Sequence, residues 1–443
     1  LSLKVYKQSQ NVNTTNGLEP GDSRAVFKNV NVDMRQYKKL RMFLHAEALE
    51  SQTDSDRLKD DEMVAFIRFG NDFTENFYQV EIPLKTTEWN TTNADEIWKL
   101  ANEIELQLDL LTKLKMQKNK DANYDSRYIY FKNEEDLDAS LANKVNKLRI
   151  GVKGNPNFGL VRNLMIGIRN NTDVLYANTA QQPKDIRGEV WFNELRVSDM
   201  DKKGGWAAVT TLDAKIADFA SVSATAMKST AGFGAIEEGP QQRSREDVFQ
   251  YNVTTAVNVN QLLPKKWNLN IPLSYSISEE TITPEFDPNS PDVKLKDMMD
   301  NASTESEKKA IKDRAIEYTK RTSINLIGVS KQRAEGQKER FYNVENFTLS
   351  HSYNVLEQHN FEIEGLLDQQ TRSSIDYSYG FKPMNFEPFK KAEGLKKKQY
   401  FKLLTDFNLN ILPSNVTFNS NILRQYNRQK YRMIDVEGIE IKP

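Results

Sequence analysis

The sequence predicts an all-β protein: a segment of a large transmembrane antiparallel β-barrel, preceded by a β-sandwich or jelly-roll-like domain and carrying a small helical insertion. Three observations predict it. Residues 246–282 alternate with period two through a whole hairpin. Residues 1–200 hold many short alternating runs separated by turn residues. After a helical stretch, long alternating runs resume to the end of the chain.

The composition bounds the reading. The chain has 443 residues, with Lys+Arg 61 against Asp+Glu 62 and a formal net charge of -1. That balance argues against nucleic acid as a partner, because phosphate binding needs clustered positive charge. Hydrophobic residues make up 38%, and the mean hydropathy is -0.68. Those values exclude a helical membrane protein but not a barrel, whose strands are half polar. No apolar run is long enough for a transmembrane helix. There is no cysteine, so neither disulfides nor thiolate metal sites stabilise the fold. The first residues, LSLKVYKQSQ, lack the apolar segment of a signal peptide and read as mid-domain sequence, so the chain is expected to be a fragment of something longer.

Taken in order, residues 1–200 read as one sandwich. Its runs include Leu40, Met42 and Leu44; Ala65, Ile67 and Phe69 against Val64, Phe66 and Arg68; Tyr78, Val80, Ile82 and Leu84; Leu148, Ile150 and Val152; Leu164, Ile166 and Ile168; and Trp191, Asn193, Leu195 and Val197. Turns such as Asn71-Asp72 and Gly154-Asn155-Pro156-Asn157 separate them. Residues 93–118 fit two templates. Ile97, Ala101, Ile104, Leu108 and Leu111 recur at helical spacing, but Ile104, Leu106, Leu108 and Leu110 alternate with polar residues. A strand at 102–109 followed by a helix at 110–118 leaves no leucine off its apolar face, and is the expectation.

DKKGG at 201–205 is a hinge, and 201–443 is read as about ten membrane-spanning strands. Leu212, Ala214 and Ile216 alternate, turn at Asp218-Phe219, and give way to Ala220, Val222, Ala224 and Ala226. In the hairpin that follows, Phe249, Tyr251, Val253, Thr255 and Val257 share one face, and Gln250, Asn252, Thr254, Ala256 and Asn258 the other. The polar face is neutral Asn, Ser, Gln and Thr, where a soluble sheet usually carries charge. An apolar exterior, a neutral polar interior and aromatics near the strand ends are what a transmembrane barrel requires.

Residues 283–319 interrupt the sheet. TPEFDPNSPDV is turn-forming. In the helix after it, Thr304 and Glu307 fit a capping box, and Ile311, Ala315 and Tyr318 share a face. Strands are then expected at 320–334, 344–356, 359–368, 371–382, 398–412 and 414–431. Counting them puts the turns Leu263-Pro264 and Leu412-Pro413 at one end of the sheet. The connections 235–246, 283–319 and the basic loop Lys390–Lys398 fall at the other. Long connections are extracellular in such barrels, so the domain 1–200 is expected outside the cell.

Catalytic constellations are missing from the sequence. The three histidines, His45, His351 and His359, have no ligand spacing, and no phosphate-binding loop or nucleophile elbow occurs. The expectation is that the chain is not an enzyme and holds no cofactor or metal. Asp287, Asn289 and Asp292 have loose calcium-like spacing, but the prolines between them favour a turn. Lys390, Lys391, Lys396, Lys397 and Lys398 read as a solvated loop, with anionic lipid or a partner as the alternative. Trp89, Trp98 and Trp191 read as core residues, with a sugar-binding surface as the alternative.

Eight segments stand out: GEVWFNELRVSDMDKKGGWAA (188–208), QLLPKKWNLNIPLSYS (261–276), TPEFDPNSPDVKLKD (283–297), KRTSINLIGV (320–329), FTLSHSYNV (347–355), IDYSYGFKP (375–383), DFNLNILPSNVTFNS (406–420) and ILRQYNRQK (422–430). Together they resemble the SprA/Sov family, the outer-membrane translocon of the type IX secretion system in Bacteroidota. The resemblance keeps its order across most of the chain. It implies a very large single-chain barrel with a lateral opening, exporting folded cargo that carries a C-terminal signal domain, including gliding adhesins. It also implies a PorV-like outer-membrane barrel and a plug protein as partners, with outer-membrane lipid around the wall. The family has no catalytic residues to carry over. About ten strands cannot enclose a protein-sized pore, so further strands are expected elsewhere in the parent chain. Two other readings stand beside this one: a secreted carbohydrate-binding or glycan-acting sandwich protein, and a small self-contained porin. Closure distinguishes the porin, which must pair 206–217 with 414–431.

Overall fold

The structure, a computed structural model, describes residues 1–5, 17–49, 57–172, 184–239, 242–388, 400 and 406–432. Its chain falls into two compact units. The first contains Leu1–Gly204, Gly234–Arg243 and Glu285–Lys308; the second contains Gly205–Phe233, Ser244–Pro284 and Lys309–Pro443. The polar loop and most of the insertion therefore group with the N-terminal unit, although both are connections between strands of the second.

In the first unit, eleven strands form two sheets. They are β1 (Ser2–Val5), β2 (Ser23–Val32), β3 (Tyr37–Glu47), β4 (Met63–Gly70), β5 (Phe77–Pro83), β6 (Thr86–Thr87), β7 (Ile104–Gln107), β8 (Tyr130–Asn133), β9 (Arg149–Lys153), β10 (Val161–Asn170) and β11 (Gly188–Met200). One sheet runs β1-β11-β3-β6 with β7 also on β3; the other runs β2-β10-β4-β5-β9-β8. Every pairing is antiparallel except the short β3–β6. Period-two alternation sets the inner faces. Leu40, Met42, Leu44, Val190 and Phe192 from the first sheet share one buried cluster with Ala65, Ile67, Phe69, Val80, Ile82, Ile150 and Ile168 from the second.

The ambiguous stretch resolves as the alternation argued. Ile104 and Leu106 are buried on β7, and a helix follows at Asp109–Lys120 with Leu110, Leu111 and Leu114 inward. Opposite β7, Lys39 and Arg41 of β3 clamp the Glu105 carboxylate at 2.8 and 2.7 Å. These hydrogen bonds hold Glu105 down to a pKa of about 2. A depressed carboxylate stabilises above its unfolded pKa and loses that contribution as pH falls towards its folded pKa. Glu105→Gln should therefore cost about 1 kcal/mol near pH 7, because all three groups are partly solvated. Thermal melts of the two forms should converge between about pH 4.5 and about pH 2. A pH-independent gap would rule out this role for the ion pair.

The second unit is one up-and-down antiparallel sheet. Its long strands are β12 (Ala207–Ile216), β13 (Ala220–Ser229), β14 (Glu246–Asn258), β16 (Pro272–Pro284), β19 (Glu317–Lys331), β20 (Phe347–His359), β21 (Ile363–Gly380) and β24 (Asn415–Tyr431), in that spatial order. The short β15 (Leu269–Asn270) pairs with β19, and β22 (Asn385–Phe386) pairs with β23 (Leu409–Asn410). The hairpin β17 (Phe286–Asp287) and β18 (Ser290–Lys294) lies in the insertion. A bulge in β19 is made at Gly328, whose φ of +82° suits glycine. The inserted helix Glu305–Ala315 starts as expected, with Glu307 N–H donating to Thr304 Oγ1 at 3.1 Å. The Glu307 carboxylate, however, accepts from Ser303 rather than from Thr304.

The strand count differs from the sequence reading. The expected strands 359–368 and 371–382 are one strand, β21. Gln369, Thr371 and Ser373 break its apolar alternation, but the ladder to β20 runs through them uninterrupted. The expected strand 398–412 lies partly outside the described residues, and its described part contributes only β23. Among the described residues the sheet thus has eight long strands, not ten. This moves the basic-loop connection 381–414 to the same end as 217–219, 259–271 and 332–346. The other end, where the chain enters β12, carries 230–245, 285–316 and the tight turn 360–362. Connection length alone therefore does not distinguish the two ends.

Candidate functional site

The register defines two faces from edge to edge. One row reads Leu212, Ala224, Val253, Ile277, Thr322, Val355, Gln369, Tyr426. The adjacent row reads Asp213, Ser223, Thr254, Ser276, Ser323, Asn354, Gln370, Gln425. The first belongs to a face rich in Val, Ile, Leu, Phe and Tyr. The second belongs to a face of Ser, Thr, Asn and Gln, with scattered charges of both signs such as Glu280, Arg321, Asp368 and Arg372. Cross-strand neighbours share a face, so this separation is a property of the whole sheet.

Nothing among the described residues covers the apolar face. The first unit has a dense core, whereas among the described residues of this sheet only Ala220 is a buried apolar one. Leu212, Phe249, Ile324, Leu349, Ile375, Phe418 and Ile422 are all exposed. A monomer in water rarely exposes so extended an apolar surface. Aromatic rings bracket it. Trp206, Phe249 and Tyr318 lie at the end where the chain enters β12; Phe347, Tyr377 and Phe418 lie at the far end, with Phe347 and Tyr377 centroids 5.0 Å apart. A charged row, Glu279–Lys320–Glu357, marks where the apolar band stops near the entry end, with Glu279 and Lys320 3.7 Å apart.

Among the described residues both outer strands are open. There β12 pairs only with β13, and β24 only with β21, so 207–216 and 415–431 do not meet. The closed small-porin reading is therefore not the arrangement observed. Two long unpaired edges invite further strands.

The other sequence candidates fall elsewhere. His351 lies on the apolar face, its Nδ1 2.9 Å from Ser373 Oγ, and His359 stacks on Tyr318 at 5.3 Å. His45 is in the sandwich, so the three histidines form no cluster. Asp287, Asn289 and Asp292 occupy the β17–β18 hairpin, as a turn reading requires. Asp292 is buried and already has a cation: Lys115 Nζ lies 2.6 Å from its Oδ1, and Tyr78 donates to its Oδ2 at 2.6 Å. Asp287 accepts from Ser290 N–H at 3.1 Å, and Arg35 donates to the Pro291 carbonyl at 3.1 Å. Burial pushes the Lys115 ammonium below its ordinary pKa, and burial beside Asp292 pushes the Tyr78 hydroxyl well above its own. Sequence reasoning missed Lys115 because its partner is distant in the chain and a lysine on a helix ordinarily points to water. The lysines 390, 391, 396, 397 and 398 lie outside the described residues.

The expectation that Trp89, Trp98 and Trp191 are core residues fails. All three are exposed, at 47%, 38% and 41%. Trp191 is on the outward-pointing set of β11, between the inward Val190 and Phe192, so alternation forces it out of the core.

Among known proteins, a family model named SprA_N and described as a motility related/secretion protein matches residues 4–299. No curated protein matches the chain.

Proposed function

Because the chain belongs to the SprA_N family of motility-related and secretion proteins, we propose that its sheet is part of the wall of a protein-conducting β-barrel in a bacterial outer membrane. One observation carries this reading: an eight-strand apolar face that nothing among the described residues covers, backed by a neutral polar face. Lipid suits the first, and a water-filled lumen the second. Each long strand has at least ten residues, enough to cross the bilayer at a tilt. The aromatic rows at both ends fit the two membrane interfaces.

The polar face suits folded cargo of varied sequence. Ser, Thr, Asn and Gln hydrate well and offer no apolar patch and no field of one sign, so passing proteins are not retained. In this reading the chain is a conduit and not an enzyme, and the energy for export is supplied elsewhere. Its open edges pair with further strands of the same barrel, since eight strands enclose room only for side chains or one small ligand. The entry end is assigned to the extracellular side. Two of its connections, 234–243 and 285–308, are built into the folded first unit, and elaborated connections in such barrels are extracellular. Cargo with a C-terminal signal domain, a PorV-like barrel and a plug protein are the partners this role calls for.

Extraction of the native parent protein from outer membranes, with pull-down and mass spectrometry, tests the assignment. A second, smaller barrel and a plug-like protein are expected to co-purify. Recovery of the parent in the soluble secreted fraction, free of membrane partners, would sink it.

A further inference from the structure

The outer surface of the β1-β11-β3 sheet carries a cluster that a protein-conducting role does not use. Alternation places it. Leu44, Ala46, Val190 and Phe192 point into the core, so His45 and Glu47 of β3 and Glu189 and Trp191 of β11 point outward. The register sets Trp191 directly opposite His45, and Glu189 opposite Glu47. Trp98 closes the group from the C-terminal end of the helix Ala94–Ile97.

His45 is the floor, only 3% exposed. Its Nδ1 donates to the Ile97 carbonyl at 2.9 Å, which fixes the ring. The Trp98 and Trp191 rings lie 6.1 and 5.1 Å from it, both inclined. Two tryptophans placed merely to pack a histidine would be buried against it; these leave about two-fifths of their surface in water. In the next row of the same face stand two oriented carboxylates. Glu189 Oε1 accepts from Trp191 Nε1 at 2.8 Å and from Ser2 Oγ at 2.6 Å. Glu47 Oε1 accepts from Asn90 N–H at 2.9 Å, which places the Trp89-Asn90 turn at the rim. A carboxylate offers about four lone-pair positions, so both keep acceptor capacity towards solvent.

We propose that this surface is a binding site for a neutral saccharide. Indole rings offer flat apolar faces for the C–H side of a sugar ring, and fixed carboxylates accept from its hydroxyl groups. The carboxylates of Glu47 and Glu189, with the Lys4 ammonium 3.3 Å from Glu189, bias the site against acidic sugars and phosphates. The site stands independently of the membrane assignment of the second unit.

The test is isothermal titration of the full-length parent with neutral pentasaccharides of gluco-, manno- and galacto- type, and with an acidic oligogalacturonate. An amine-oxide detergent is used, because a glycoside detergent would itself present a sugar. At least one neutral series is expected to bind, and the acidic one more weakly. Trp98→Ala and Trp191→Ala should each weaken binding by about tenfold or more, a loss of about 1.4 kcal/mol. Tyr128→Ala, an exposed aromatic in the bend before β8, should leave it unchanged. Glu189→Gln keeps both indoles and should weaken binding severalfold, which covers the case of a tryptophan variant that misfolds. Failure of every neutral saccharide to bind would overturn the proposal. So would affinity unchanged in both tryptophan variants, or preferential capture of a basic peptide at this cluster.

Discussion

Ile277→Arg is expected to destabilise the sheet by about 2–4 kcal/mol in a bilayer, the depth-dependent cost of a guanidinium on a lipid-facing strand. Ser276→Arg, one residue away, should cost within about 1 kcal/mol. The two positions are adjacent on β16 and both half-buried. They differ in face: Ile277 lies between Val253 and Thr322, and Ser276 between Thr254 and Ser323. If the sheet stood in water, both side chains would meet solvent and neither arginine would matter much. The difference between the variants therefore reports the medium against each face rather than packing. Outer-membrane abundance of the parent protein, and its resistance to extraction and unfolding, read that difference. Equal behaviour of the two variants would exclude a lipid-facing apolar side. A penalty at Ser276 alone would reverse the assignment of interior and exterior.

The two faces were legible because they need only local information. A period-two pattern states which residues share a side before any partner strand is known, and thirteen-residue strands such as β14 repeat it often enough to be unambiguous. The sandwich was legible for the same reason, down to β7 and the helix after it. Strand number was less so. Hydrogen-bonded ladders do not require apolar side chains, so the polar middle of β21 looks like a break in the sequence although its ladder is continuous. Alternation also held the answer for Trp191, whose odd position on β11 puts it beside Glu189 and Asn193 on the outer face. The size and apolarity of indole outweighed that signal.

What the sequence carried least well was long-range pairing. Asp292 sits in a Pro-rich hairpin that reads locally as a turn, and its partners Lys115 and Tyr78 are on a helix and a strand much earlier in the chain. No periodicity encodes such a contact. Its energetics are nonetheless sharp, because an ammonium and a carboxylate removed from water depend on each other.

Asp292→Asn is expected to cost about 3–5 kcal/mol, since it leaves the buried Lys115 ammonium without its hydrogen-bonded carboxylate, with only the charge of Asp287 nearby and the neutral Pro156 carbonyl at 2.8 Å as acceptor. Tyr78→Phe should cost about 1 kcal/mol, the usual net worth of a hydrogen bond. Pairing Asp292→Asn with Lys115→Met should restore most of the loss. The uncompensated charge is then gone, and the side-chain amide oxygen at position 292 still accepts from the Tyr78 hydroxyl. The pH dependence follows from Lys115, whose folded pKa lies below its unfolded one. The folded state binds fewer protons than the unfolded chain across that interval, so stability rises as pH rises through it. Removing the Asp292 carboxylate lowers the folded pKa further, so the single variant should regain stability on alkalinisation over a wider range than the unaltered protein. Hydrogen exchange of the amides in 286–295 measures this locally, which suits a chain of two units that need not unfold together. A double variant no better than Asp292→Asn would remove the buried charge as the cause. The consequence reaches beyond stability. The hairpin lies on the connection between β16 and β19, so the anchor ties that connection into the core of the first unit.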